Sequence, residues 1–253
     1  MSIIGKVESL WRYPVKSMRG EQLEESFVGF AGVYGDRLYA STSSASPKGF
    51  PYLTARELSV GEVPVVALRV TYVGELGWEL YPPAEYGRAL WNALWTAGRE
   101  RGVVAAGYRA IDALRLEKGY RVWSSDITPD ETPWEAGLGF AVALDKATGF
   151  VGHEALAAAK AAGPRKRLRC LVLDDPRSVC LGNEPVRVDG AVVGRVTSGG
   201  YGFAVERSIA YAYLPPNRAA IGTRGDVEVF GEWVGFEVVR EPLYDPDGAR
   251  IRS

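Results

Sequence analysis

EPVRVDGAVVGRVTS, Glu184 to Ser198, decides the fold class of this chain. Val186 and Val188 alternate with Arg187 ahead of Asp189-Gly190, and a second β-branched run follows, which predicts two strands joined by a tight turn. Working outward, KRLRCLVLD (Lys166–Asp174), SIAYAYL (Ser208–Leu214) and GDVEVFGEWVGFEVV (Gly225–Val239) repeat the strand pattern, the last turning at Gly231-Glu232. So many short strands after Gly163-Pro164 predict a β-barrel or sandwich over residues 165–253.

Upstream the periodicity changes. Val65 to Leu80 is the strongest remaining β stretch, expected to bend or bulge at Gly74 and Gly77 and ended by Pro82 and Pro83. A helix is predicted from Ala84 to Arg101, with Leu90, Trp91, Leu94 and Trp95 at helical spacing, the Trp pair expected in the core rather than in a cofactor box, and Gly102 beyond its end. Two more helices are predicted at Ala110–Lys118 and His153–Ala162. From Lys6 to Ser41 the runs KVESLWRY, LEESFVGF and DRLYAST read as a small antiparallel sheet or partial barrel. The expected class is therefore α+β, in three parts: a small antiparallel β unit (1–60), a central mixed α/β unit (61–164) and a C-terminal β-barrel (165–253).

Composition narrows the function. The 253 residues carry 30 Lys plus Arg against 31 Asp plus Glu, a formal charge of -1, so no general field draws the protein to nucleic acid or to an anionic membrane. No stretch has the apolar length of a signal or membrane-spanning segment, and a cytoplasmic protein is expected. Cys170 and Cys180 are read as buried thiols. With His153 the single histidine, no metal site is expected from the side chains.

TYVGELGWELY (Thr71–Tyr81) is the stretch with ligand chemistry. Tyr72 and Glu79 flank two glycines, and glycine lets a flat ring approach the backbone. A carboxylate accepts two parallel N–H bonds from a guanidine-like edge such as that of a pterin. On local grounds alone Glu79 reads first as a solvated strand carboxylate.

Five further stretches give this one its context: LRLEKGYRVWSSDITPDETPWEAGLGF (Leu114–Phe140), GNEPV (Gly182–Val186), VTSGGYG (Val196–Gly202), IAYAYLP (Ile209–Pro215) and PLYDPDGARIR (Pro242–Arg252). In this order the series resembles the folate-binding aminomethyltransferase family, which includes the glycine cleavage T-protein and the folate portions of dimethylglycine and sarcosine dehydrogenases. The EKGYR form is closer to the dehydrogenase-linked branch. The resemblance implies tetrahydrofolate as cofactor, with Tyr72, Glu79, Tyr120 and Phe140 lining its site and Glu79 on the pterin edge. It also implies a small-molecule amine as substrate and a dehydrogenase chain as partner.

Two departures stand out. Where the T-protein carries a folate-contacting arginine before the residue matching Asp112, this chain has Ile111, leaving Arg109, Arg115 or Arg121 as substitutes. Asp36 is the only aspartate before Asp112, so the aspartate that the family uses in its first half has no counterpart and no catalytic residue is carried over.

The opening stretches VESLWRYPVKSMRG (Val7–Gly20), AGVYGDR (Ala31–Arg37) and LTARE (Leu53–Glu57) resemble a different family, the N-terminal β-barrel domain of MOSC proteins. That resemblance implies molybdenum cofactor contacts at Lys16, Ser17 and Arg37. The other reading of these cations is pairing with acidic neighbours, and no cysteine lies in a MOSC context downstream. A seam between the two resemblances is expected near Ser59–Pro64. The readings in play are thus a tetrahydrofolate-dependent one-carbon transferase, a folate-binding module without turnover, a molybdenum cofactor-binding protein, and a non-catalytic fusion.

Overall fold

A computed structural model describes residues 49–252 and the backbone of two short strands, β1 (Leu10–Arg12) and β2 (Glu21–Leu23), which pair antiparallel with Leu10 opposite Leu23. The sequence divides into two compact units, 1–118 with 244–253, and 119–243.

In the first unit β3 (Ala55–Val60) and β4 (Val63–Leu68) form a hairpin in which Ser59 lies opposite Pro64. The turn falls on Gly61, at a φ of 61° where a side chain would be strained. The expected seam is thus a continuous β-ladder, and the LTARE stretch feeds directly into it. β5 (Glu79–Tyr81) completes an antiparallel sheet of order β3-β4-β5. The long strand expected over Val65–Leu80 is interrupted by a non-regular segment from Arg69 to Trp78.

Helix α1 (Gly87–Gly98) covers the sheet, and a short 3-10 turn carries the chain on to Gly102, which ends it at a φ of 77°. Leu90 and Leu94 pack with Val63, Val65, Ala67 and Trp78, each fully buried leucine contributing about 2 kcal/mol. The tryptophans do not join them. Trp91 and Trp95 are 36% and 40% exposed and stack on each other with ring centroids 5.9 Å apart, a correction to the expected core pair. Helix α2 spans Tyr108–Lys118, its last turn buried.

In the second unit α3 (His153–Ala162) begins after Gly152, as its sequence indicates. Six strands follow: β6 (Arg167–Leu173), β7 (Pro185–Val188), β8 (Ala191–Gly202), β9 (Arg207–Leu214), β10 (Arg224–Val229) and β11 (Glu232–Val239). They close into a barrel of order β10-β11-β6-β9-β8-β7, every neighbour antiparallel. Closure is made by Val186 opposite Val227 and Arg187 opposite Asp226. Alternate residues face inward, Leu171, Leu173, Ala210, Ala212, Val227 and Phe236 among them. Gly194 permits the close approach of β9, since a Cβ there would lie 2.2 Å from the Tyr213 carbonyl oxygen. The second hairpin turns on Phe230-Gly231, one residue earlier than expected, and both residues adopt positive φ.

The architecture is the expected α+β one with a C-terminal barrel. Both cysteines are buried, and burial is the main reason each thiol is pushed up to about 12. Neither is expected to react with a thiol reagent in the native chain at pH 8, and both should react in denaturant; fast native labelling would contradict the placement. Among the described residues no helix is long and apolar enough to cross a membrane.

Candidate functional site

The Thr71–Tyr81 stretch lies wholly in the first unit. Tyr72 is exposed at its start, residues 73–78 are buried, and Glu79 is half-buried as β5 begins. A buried non-regular segment must satisfy its own backbone. Thr71 does part of this, its Oγ1 accepting from the Val73 and Gly74 amides at 3.1 Å each. Glu79 and Tyr81, two apart on a strand, share a face, and the Tyr81 hydroxyl donates to Glu79 Oε2. That hydrogen bond is the main cause raising the Tyr81 phenol above its ordinary range.

Gly74 has a different reason from the one its sequence suggests. It sits at a φ of 76°, and a Cβ there would meet the Lys118 side chain at 2.7 Å. The close approach is made by Lys118, the end of α2, rather than being left for a ligand ring.

Sequence reasoning missed the buried charges that hold this segment. Arg69 is buried with its guanidinium 5.3 Å over the Trp78 ring, and its Nη1 donates to the Phe50 carbonyl at 2.7 Å. Glu75 accepts from the Tyr244 hydroxyl at 2.6 Å and faces Arg250 Nη1 across 3.8 Å. The Arg250 guanidinium lies 5.6 Å over the Tyr244 ring. Lys118 Nζ donates to the Asp245 carbonyl at 2.6 Å and to its Oδ2 at 3.0 Å, while the Tyr244 amide donates to the Glu117 carbonyl at 3.1 Å. Part of the LRLEKGY motif is thus an anchor for the chain's closing residues. The signal available in sequence was the pairing of charges in EKG with those in YDPDGAR.

Of the three substitute arginines, Arg115 is buried and bonded to Asp112 Oδ1 at 2.8 Å, and Arg121 is bonded to Glu241. Arg109 is exposed and has no ion pair among the described residues.

In the second unit Tyr120 is half-buried and Phe140, on a short 3-10 turn (Gly139–Ala141), is 87% exposed. The segment between them is pinned to the barrel by Asp126. Residues 197 and 198 would ordinarily point to opposite faces, but a bulge in β8 turns both hydroxyls to Asp126 Oδ1, Thr197 at 2.5 Å and Ser198 at 2.7 Å. The Val122 amide donates to Oδ2 at 3.0 Å, and the Tyr213 hydroxyl to the Asp126 carbonyl at 2.8 Å.

TPDE and TPWE form two successive turns, each closed by a Thr–Glu pair. Thr128 donates through its amide and hydroxyl to Glu131, at 2.8 and 2.6 Å, and Thr132 does the same to Glu135, at 2.9 and 3.1 Å. Burial raises both carboxyls, but hydrogen bonds from Lys166 and Thr128 to Glu131, and from Thr132 to Glu135, outweigh it and bring both below their ordinary range. A folded value below the unfolded one stabilises above the ordinary glutamate value of about 4.3, and the gain is lost as pH falls through the folded value. Melting temperature is therefore expected to drop below that pH, and the Thr128→Val/Thr132→Val chain should depend less on pH there; identical profiles would contradict this.

The model of the GCVT N-terminal domain matches residues 35–146, and that of the glycine cleavage T-protein C-terminal barrel domain matches 166–245, together more than half of the chain. The chain belongs to the aminomethyltransferase family. It is 38% identical to a rat (Rattus norvegicus) protein named dimethylglycine dehydrogenase, mitochondrial, over 90% of this chain and 27% of that one. An aminomethyltransferase of Symbiobacterium thermophilum is 40% identical over 77% of this chain and 52% of its own length. The crystal structure of the glycine cleavage system aminomethyltransferase T from Bartonella henselae superposes with a TM-score of 0.70 at 29% identity, covering 77% of this chain and 53% of that one. The chain thus spans about a quarter to a half of the relatives it matches. One relative is named as mitochondrial.

The N-terminal match takes Arg37 and Leu53–Glu57 into this family, and the MOSC resemblance of residues 1–60 is not reproduced by these matches. Lys16, Ser17 and Arg37 lie outside the described residues, and the molybdenum cofactor is left without support.

Proposed function

We propose that this chain binds tetrahydrofolate and serves in one-carbon transfer from a small amine, with Glu79 accepting hydrogen bonds from the pterin edge and Tyr72 packing at the same ligand. The observation that carries the reading is the Glu79 carboxylate itself: half-buried at the first residue of β5, held on one oxygen by Tyr81, and set at the end of a buried segment. An acceptor so placed fits the donor edge of a pterin. Tyr120 and Phe140 are proposed as further aromatic contacts for folate.

Tetrahydrofolate supplies the nucleophilic nitrogen that takes up the one-carbon unit. This chain's own residues bind and orient it. A group that positions the amine is proposed to come from a partner dehydrogenase chain, since the aspartate used by the family has no counterpart. In a one-carbon transfer assay with tetrahydrofolate and an N-methyl amine, turnover is expected when a dehydrogenase partner is added. Tight folate binding with no turnover under any such pairing would leave a binding module in place of an enzyme component.

A further inference from the structure

Residues 73–78 make up a buried segment with neither helix nor strand, yet Tyr72 and Glu79 at its two ends must keep a fixed spacing to meet one ligand. Such a segment is ordered only by what it packs against, because it has no ladder of its own to resist local opening. One internal tie is the Thr71 hydroxyl, which accepts from the Val73 and Gly74 amides. The centre of the segment, Glu75, is held from outside by the chain's closing residues.

We propose that Tyr244 and Arg250 are positioning residues for the ligand loop, acting through Glu75. The Tyr244 hydroxyl donates to Glu75 Oε1 at 2.6 Å, and Arg250 faces Oε2 at 3.8 Å while covering the Tyr244 ring. Both phenol and carboxylate are buried, so the bond forms where water competes little. The closing residues are in turn fastened to α2 by Lys118 on Asp245 and by the Tyr244 amide on the Glu117 carbonyl. Helix α4 (Ala249–Arg252) caps the arrangement: the Asp245 carboxylate accepts from the Ala249 amide at 3.0 Å, and Ile251 is buried. Lys118 also presses against Gly74, so one lysine joins the end of α2, the closing residues and the loop. This assignment rests on the folate reading for what the loop binds. The anchoring itself does not.

The test uses the intact chain and two readouts, amide exchange of the segment 72–79 and tetrahydrofolate affinity by calorimetry. Tyr244→Phe keeps the ring and removes the hydroxyl; Arg250→Ala removes the cation, and Arg250→Lys restores it. Exchange in 72–79 is expected to quicken at least tenfold in Tyr244→Phe and in Arg250→Ala, with β6 and β9 unchanged. Affinity should fall about tenfold in both, and Arg250→Lys should recover most of it. Unchanged exchange in the segment overturns the proposal. Faster exchange with unchanged affinity in a chain that binds tetrahydrofolate also overturns it, since the contacts would then be structural only. A wild-type chain that binds no tetrahydrofolate removes the folate reading, and the exchange result alone then supports or overturns the anchor.

Discussion

Arg121→Met is expected to destabilise the chain by about 3 kcal/mol, a large loss for a single side chain. Arg121 donates to Glu241 through Nη2 at 2.6 Å and Nη1 at 2.9 Å, to the Ala136 carbonyl through Nε at 3.2 Å, and to the Gly119 carbonyl. Its guanidinium also lies 5.3 Å over the Tyr211 ring. Burial alone would lower the Arg121 value, yet the bonds to Glu241 raise it, so the cation is stabilised by its partner. Removing it strands a carboxylate beside a buried tyrosine and a buried cysteine, both of which it already pushes upward. The figure is placed at the low end of the range for buried pairs because the Glu241 side chain keeps 25% of its surface in water. Denaturant titration measures the loss, and Arg121→Met with Glu241→Leu should recover much of it. A single variant within about 1 kcal/mol of wild type would show that the pair behaves as a surface ion pair.

Glu79→Ala is expected to weaken tetrahydrofolate binding about ten- to hundred-fold, the equivalent of about 1.5 to 3 kcal/mol for hydrogen bonds to a charged acceptor. The fold should survive, because Glu79 is half-buried at the first residue of β5 and its partner Tyr81 is exposed enough to bond water instead. The lost contact with Glu79 should also bring the Tyr81 phenol back toward its ordinary value, since that hydrogen bond is the first cause of its rise. The phenol titration reports on the local geometry without any ligand. Equal affinity in Glu79→Ala and wild type would move the pterin site away from this carboxylate.

The barrel was legible because short apolar runs such as KRLRCLVLD and SIAYAYL recur between turn signals, although β9 buries both of its faces, Ala210 and Ala212 toward the barrel core and Ile209 and Tyr211 on the other. Helix α1 shows where that legibility stops. Leu90 with Leu94 and Trp91 with Trp95 are two stripes at the same spacing, about 100° apart around the helix, and periodicity cannot say which one the sheet covers. The sheet covers the leucines. Arg69, Glu75 and Glu117 escaped notice for another reason: a charge reads as solvated by default, and its burial depends on partners as distant in sequence as Tyr244 is from Glu75. Tyr72 and Glu79 were singled out from their motif, whereas the reason for Gly74 was not legible, since Lys118 comes to it from another element.

The hairpin at Ser59–Pro64 joins what looked like two unrelated stretches into one sheet, and the folate reading depends on that sheet presenting β5. Calorimetric titration of the intact wild-type chain with tetrahydrofolate tests this most directly. A saturable single-site heat, reduced ten- to hundred-fold in affinity by Glu79→Ala, is the predicted result. A folded chain that takes up no tetrahydrofolate at millimolar concentration would contradict it.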